Sequence, residues 1–212
     1  MTPARKPRRK NTPEISTELI KRAAISLFAA KGYASTSLEE IAARAKFTKG
    51  AIYYYFRSKE KLLLDILDDI EARSIAATAQ DVLSARGVTI DLLVRFALLQ
   101  ARWASRNPDD LAILMLTSIE SANKKGKVNK RVAQLYDLFR QTLEALLERA
   151  RAAEKIGNDV SIEKFILLVT ALHDGNMLLW YRSGLDPEVG QMLTRASIQT
   201  LVERFNELRR DG

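Results

Sequence analysis

The chain of 212 residues contains no cysteine and a single histidine, His173. The first absence excludes disulfide frameworks, thiolate metal sites and cysteine nucleophiles, and fits a reducing compartment. The second excludes a multi-histidine zinc or iron centre within one chain, so no metal and no cofactor is expected. No apolar run reaches the ~18 to 20 residues that a membrane-spanning helix needs, and the N-terminal "MTPARKPRRKNTPE" lacks the apolar stretch of a secretory signal. The expectation is a soluble, cytoplasmic protein without a membrane partner. Glycine and proline are sparse, at 9 and 5, and no segment sustains the alternation of apolar and polar residues that marks strands. There is no Gly-rich phosphate loop and no G-x-S-x-G elbow, and His173 and Asp174 diverge as neighbours on one helix. An enzyme is not expected.

What is present is unevenly placed. Residues 1–62 hold 14 Lys and Arg against 5 Asp and Glu, whereas the other 150 residues hold 20 against 21. The whole positive excess of +8 therefore lies in the first third, which points to an anionic partner for that third. Nucleic acid leads, with an anionic membrane surface or a protein adaptor role as the alternative.

The periodicity is helical throughout. "TELIKRAAISLFAAKGY" repeats apolar residues at 3.6-residue spacing and stops at Gly32. Ser37 and Glu40 have the spacing of a capping box, which opens a short helix with Leu38, Ile41 and Ala42 inward. Thr48 caps a third helix through "KGAIYYYF", and Ser58 caps a long fourth one. Later openings fall at Thr89, Asn107-Pro108, Ser161 and Asp186-Pro187. The predicted architecture is all-α: three short helices followed by a bundle of about six long ones, about nine in all.

Half of the chain's six tyrosines are Tyr53, Tyr54 and Tyr55. On a 100° wheel Ile52 and Phe56 share one face with Tyr55 on its flank. Gly50, Tyr53, Tyr54 and Arg57 gather on the opposite face. Two short helices across a tight turn, the second presenting small, aromatic and basic residues, form a helix-turn-helix pattern.

"TSLEEIAARAKFTKGAIYYYFRSKEKLL" resembles the DNA-binding signature of the TetR (tetracycline repressor) family of bacterial transcriptional regulators. The resemblance covers roughly residues 15 to 62; beyond it the chain matches in architecture alone. It implies a flexible basic arm (1–14), a helix-turn-helix domain (15–62), and an effector-binding and dimerisation domain (63–212). It further implies a homodimer reading a palindromic operator in double-stranded DNA, most simply as a repressor released by a small effector. Thr48 would bind a phosphate at the helix N-terminus, and Lys49 a phosphate or base edge. Gly50, Tyr53 and Tyr54 would enter the major groove. Lys59, with Thr36 or Ser37, would fix the module to the backbone, although capping alone accounts for Ser37 as well. Tyr55 stands where the family very often carries a histidine that touches a phosphate, and its hydroxyl could still donate a hydrogen bond to DNA there. Arg5, Lys6, Arg8, Arg9 and Lys10 would add electrostatic attraction.

In the long-helix half, the helix from Ser161 is apolar around most of its circumference, as expected between a core and a partner chain. The large adaptable or polar-tipped side chains are Trp103, Met115, Tyr136, His173, Asn176, Met177 and Trp180. They are the candidates for a pocket that holds a hydrophobic or aromatic effector, and equally for core and dimer interface.

Overall fold

The computed structural model describes residues 12–154 and 161–210. The basic arm residues Arg5 to Lys10 lie outside the described residues. The chain divides into two compact units, Met1–Ile66 and Leu67–Gly212.

The first unit is built from caps. Helix α1 (Pro13–Lys31) begins earlier than the charge run suggests: Thr12 accepts from the Ile15 amide, and Pro13 occupies the first turn, where its missing N–H costs nothing. The arm boundary predicted after residue 14 is therefore displaced, since Pro13 and Glu14 are helical. Gly32, at φ 83°, closes α1. Helix α2 (Leu38–Ala45) carries the full capping box, with Ser37 Oγ accepting from the Glu40 amide and Glu40 accepting from the Ser37 amide. Its far end turns at Lys46, at φ 61°. Helix α3 (Lys49–Tyr55) opens on Thr48, whose hydroxyl accepts from Ala51 N at 3.2 Å. Helix α4 (Lys59–Glu71) opens on Ser58, which accepts from Lys61 N. Ile20, Ala24, Phe28, Ile41, Ile52, Phe56, Leu62 and Ile66 are all fully or almost fully buried, so the three short helices share one apolar centre with the start of α4.

The division between the units falls inside α4. The helical path continues from α4 through a π turn (Ala72–Ala76) into α5 (Ala77–Ser84). One long helix was expected here; the rod is unbroken but carries an inserted residue. Buried Ser74 donates to the Ile70 carbonyl at 2.6 Å. Helices α6 (Thr89–Arg106), α7 (Pro108–Ser121), α8 (Lys127–Glu154), α9 (Ile162–Arg182) and α10 (Pro187–Arg210) complete the second unit. With α4 to α5 taken as one rod, nine helices and no strand occur among the described residues.

Asn107 ends α6 and starts α7, and its side chain serves the former: Nδ2 donates to Trp103 O at 2.8 Å and makes no cap for α7. Pro108 at N1 leaves one orphan amide fewer to satisfy. The main core gathers Leu93, Phe96, Phe139, Leu146, Phe165 and Phe205 from α6, α8, α9 and α10. A second cluster, around Ala104, Leu111, Met115 and Trp180, fills the other end. Arg131 on α8 ties down the early rod by pairing Asp68 at 2.5 Å and Glu71 at 2.7 Å.

Candidate functional site

In the first unit, α3 buries Ile52 and turns its opposite face outward. Tyr54 is 81% exposed and Tyr53 43%. A side chain placed on Gly50 would meet nothing within 4 Å, so a partner surface can approach the backbone there. Thr48, Lys49, Gly50, Tyr53 and Tyr54 thus form one continuous exposed face. Tyr55 is half-buried, with Phe47 edge-on at 6.2 Å and Tyr54 edge-on at 5.1 Å. It wedges between the α2–α3 turn and Tyr54, and its ring supports the neighbouring ring that faces outward.

The surface has a member that sequence reasoning missed. Glu39 of α2 lies 2.7 Å from Lys49 Nζ and accepts a long hydrogen bond from the Tyr53 hydroxyl at 3.5 Å. The hydrogen bond from Lys49 is the main cause that holds the Glu39 carboxyl below its usual range, and the same bond raises Lys49. Glu39 adjoins the capping Glu40, and nothing in their sequence order separates a capping acid from one that reaches across to α3.

Three predicted contacts are otherwise engaged. Lys59 Nζ donates to Tyr33 O at 2.7 Å, Ala34 O at 3.2 Å and Thr36 O at 2.7 Å, and sits 4.4 Å above the Tyr33 ring. All three ammonium hydrogens serve the α1–α2 loop rather than an external phosphate. Thr36 is buried, with its hydroxyl donating to Gly32 O at 2.9 Å. Ser37 Oγ both accepts from the Glu40 amide and donates to Glu40 Oε2. Lys31 and these cap bonds, Lys31 foremost, bring Glu40 down to about 2.

The second unit holds a cavity of about 800 Å³, open on one side and walled by α6, α8, α9 and α10. Of the seven residues proposed from sequence, His173, Asn176, Met177 and Trp180 line it. Trp103 and Met115 do not; they belong to the adjoining core cluster with Leu111 and Trp180. Tyr136 lies elsewhere, beside Ser118 and Ser121 in a separate surface depression and paired with Asp174. Side-chain size did not distinguish these positions: Trp103 and Tyr136 belong to the walling helices α6 and α8 without lining the cavity, and Met115 belongs to α7. The lining residues missed from sequence come largely from α6 and α10: Phe96 and Gln100, then Gln191, Thr194, Arg195 and Ser197.

His173 is surrounded by protein and forms part of the cavity lining. It stacks on Phe139 with centroids 4.6 Å apart, and burial pushes it down to about 4, so the imidazole is neutral at pH 7. Asn176 donates to Ser197 across α9 and α10. Trp180 Nε1 donates to Asp186 O at 2.8 Å. Gly190 of α10 lies against that indole so closely that a Cβ would fall 2.9 Å from Nε1. Among the described residues no cluster of His, Cys, Asp or Glu could hold a metal, and no helix is long and apolar enough to cross a membrane.

An exposed, capped helix-turn-helix with its own small core, followed by an all-helical unit with a cavity open to solvent on one side, defines a class: DNA-binding transcriptional regulators. The family model described as bacterial regulatory proteins, tetR family, matches residues 20–66. The chain is 30% identical to the MbdR regulator from Azoarcus sp. CIB, covering 88% of this chain and 96% of that one at a TM-score of 0.76. It is 24% identical to a TetR transcriptional regulator from Chloroflexus aurantiacus, over 90% and 96% of the two chains at a TM-score of 0.75. A curated relative, the uncharacterized HTH-type transcriptional regulator YuxN of Bacillus subtilis, is 57% identical over 51 residues, 24% of this chain and 18% of that protein. The HTH-type transcriptional repressor NicS of Pseudomonas putida is 39% identical over 61 residues, 29% of each. The matched segment thus spans less than a third of these curated relatives. The chain belongs to the TetR family of bacterial transcriptional regulators and is not an enzyme.

Proposed function

We propose that the chain is a homodimeric repressor that binds a palindromic operator through α3 and leaves it when a hydrophobic or aromatic effector enters the cavity. The observation that carries the DNA contact is the outward face of Thr48, Lys49, Gly50, Tyr53 and Tyr54, with Tyr54 81% exposed beside an open glycine. A ring that costs apolar surface to leave in water, next to backbone free for close approach, suits a major groove with thymine methyls and phosphates. In this reading residues 15–62 form the DNA-binding domain, residues 63–212 bind the effector and the second copy, and the protein acts in the cytoplasm. The basic arm adds counterion release. The dimer is supported by exposed apolar side chains on α9 and α10, with Leu167 and Met192 each 70% exposed and Leu179 53%. A two-fold contact between these helices would present two copies of α3 to two half-sites. Repression agrees with the name of the relative NicS. The effector would shift the population towards a state of lower operator affinity, with α4 as the covalent route between units.

Fluorescence anisotropy with the chain's own upstream DNA against random duplex, over a salt series, tests the reading. A preference of ~10³ or more for the cognate duplex at physiological salt is expected. Tyr54→Ala should lose much of that preference with its thermal midpoint almost unchanged. Equal, weak binding to both duplexes would instead favour a basic adaptor.

A further inference from the structure

The polar groups that line the cavity divide by their commitments. Gln100 Nε2 donates to Thr78 Oγ1 at 2.7 Å, Asn176 donates to Ser197, and Thr194 donates to Gly190 O at 2.8 Å. Each of these three donates within the fold. Arg102 of α6 and Arg195 of α10 are not: neither has an ion pair or hydrogen bond from its guanidinium among the described residues, and both line the cavity while remaining exposed, which places them at its opening. Among the described residues no Asp or Glu lines the cavity. Its inner wall is aromatic instead, with Phe96 and Phe139 centroids 5.3 Å apart and Phe139 stacked on His173 at 4.6 Å.

An unpaired exposed arginine is ordinary by itself. Two of them, brought by separate helices to one opening whose described lining residues include no carboxylate, place positive charge above an apolar slot. A neutral apolar molecule would gain nothing from that charge, and a cation would be repelled by it. The guanidinium fork matches a carboxylate in two-point contact. The volume of about 800 Å³ lies within the roughly 300 to 1,000 Å³ of sites for small organic ligands.

We propose that the cavity selects amphipathic anions, aryl or acyl carboxylates whose apolar body fills the slot along Phe96, Phe139 and His173 while the carboxylate meets Arg102 and Arg195 at the opening. The proposal rests on the reading of this cavity as the effector site, and adds the chemical class. His173, neutral and stacked, can exchange one hydrogen bond with a polar atom inside the body of the ligand. The anion enters last and stays at the rim, where water still solvates it in part, so its desolvation cost is small.

The neutral fluorophore N-phenyl-1-naphthylamine, excited through tryptophan so that its signal requires proximity to Trp103 or Trp180, reports occupancy in the full-length protein without DNA. Decanoate and decan-1-ol, alike in chain and different in charge, then compete for the site at neutral pH. Decanoate should displace the fluorophore at about tenfold lower concentration than the alcohol. The double variant Arg102→Gln, Arg195→Gln, changed only at exposed positions, should erase that preference with the alcohol unaffected. Equal displacement by both compounds, or a preference that survives in the double variant, would overturn the anion selection and leave the cavity intact as an apolar site. Failure of the fluorophore to bind would overturn the cavity reading itself.

Discussion

Glu39 Oε1 lies 2.7 Å from Lys49 Nζ, so the lysine that opens α3 is already paired with a carboxylate of its own unit. In the proposed complex with DNA the acid would compete with a phosphate for Lys49, and its charge would repel phosphates until it is displaced. Glu39→Gln frees the lysine and removes the repulsion. Random-duplex affinity measured by anisotropy should rise by about threefold to tenfold, with operator affinity rising less, so the discrimination between the two narrows. Unchanged random binding would reduce the pair to an incidental surface contact.

Lys59 offers a second separation of roles. Lys59→Met keeps the stem and removes the ammonium, leaving the carbonyls of Tyr33, Ala34 and Thr36 without their donor. The loss should lower stability by about 1 to 3 kcal/mol, seen as a lower urea midpoint at constant slope. The salt dependence of DNA binding should keep its slope. A slope reduced by about one would show that Lys59 leaves the loop for a phosphate in the complex.

Gly190 and Trp180 fix the contact of α9 with α10 at the cavity wall. Gly190→Ala sets a methyl 2.9 Å from the indole nitrogen, and the indole must move. That movement breaks the bond to Asp186 O and shifts a lining residue. A destabilisation of about 1 to 3 kcal/mol is expected, together with a change in tryptophan emission. Circular dichroism should show full helix content, because glycine to alanine suits an α-helix.

His173 and Asp174 predict an unusual pH profile. Burial lowers His173 from its ordinary 6.5 to about 4, so between those values the unfolded chain binds a proton that the native protein refuses. Stability therefore falls as pH falls across that window. Burial raises Asp174 from 3.8 to about 6, against the hydrogen bond from Tyr136 that lowers it, so here the native protein holds the extra proton and stability rises as pH falls from 6 to about 4. The two slopes oppose, and the wild type should be nearly flat between pH 6 and pH 4 in this respect. Asp174→Asn should expose the histidine slope, up to ~1.4 kcal/mol per pH unit in urea midpoints. A variant as flat as the wild type would place the compensation elsewhere.

What the chain revealed in advance was whatever is local. Ser37 with Glu40, Thr48, Ser58, Ser161 and Asp186 announce helix starts because a cap and its target amide lie within three residues. The outward face of α3 followed from the same short-range geometry. Thr12-Pro13 carries the same signal and was hidden under the charge run. The cavity was less visible, because its position depends on where helices pass one another. Arg195 and Gln191 read as the wet side of an amphipathic helix, which they also are; that they rim an opening is a property of α6 and α9 standing opposite. Trp103 and Met115 suggested a pocket by size alone, and size does not say which side of a helix wall a ring occupies. Lys59 shows the limit most plainly, since its destination lies 23 to 26 residues away.

The π turn at Ala72–Ala76 sets a constraint of counting. One residue beyond an α-helical path rotates everything after it by about 100° relative to a regular continuation. Thr78, Ala79 and Val82 are buried in that rotated frame, and Gln100 reaches Thr78 only there. Deleting a single residue in this stretch would restore a regular ladder and swing the inner face of α5 away from α6 and α8. The number of residues in this stretch of the second unit is therefore governed by phase, not by length. Homologues should align across it either without a gap or with one compensated by a second change nearby.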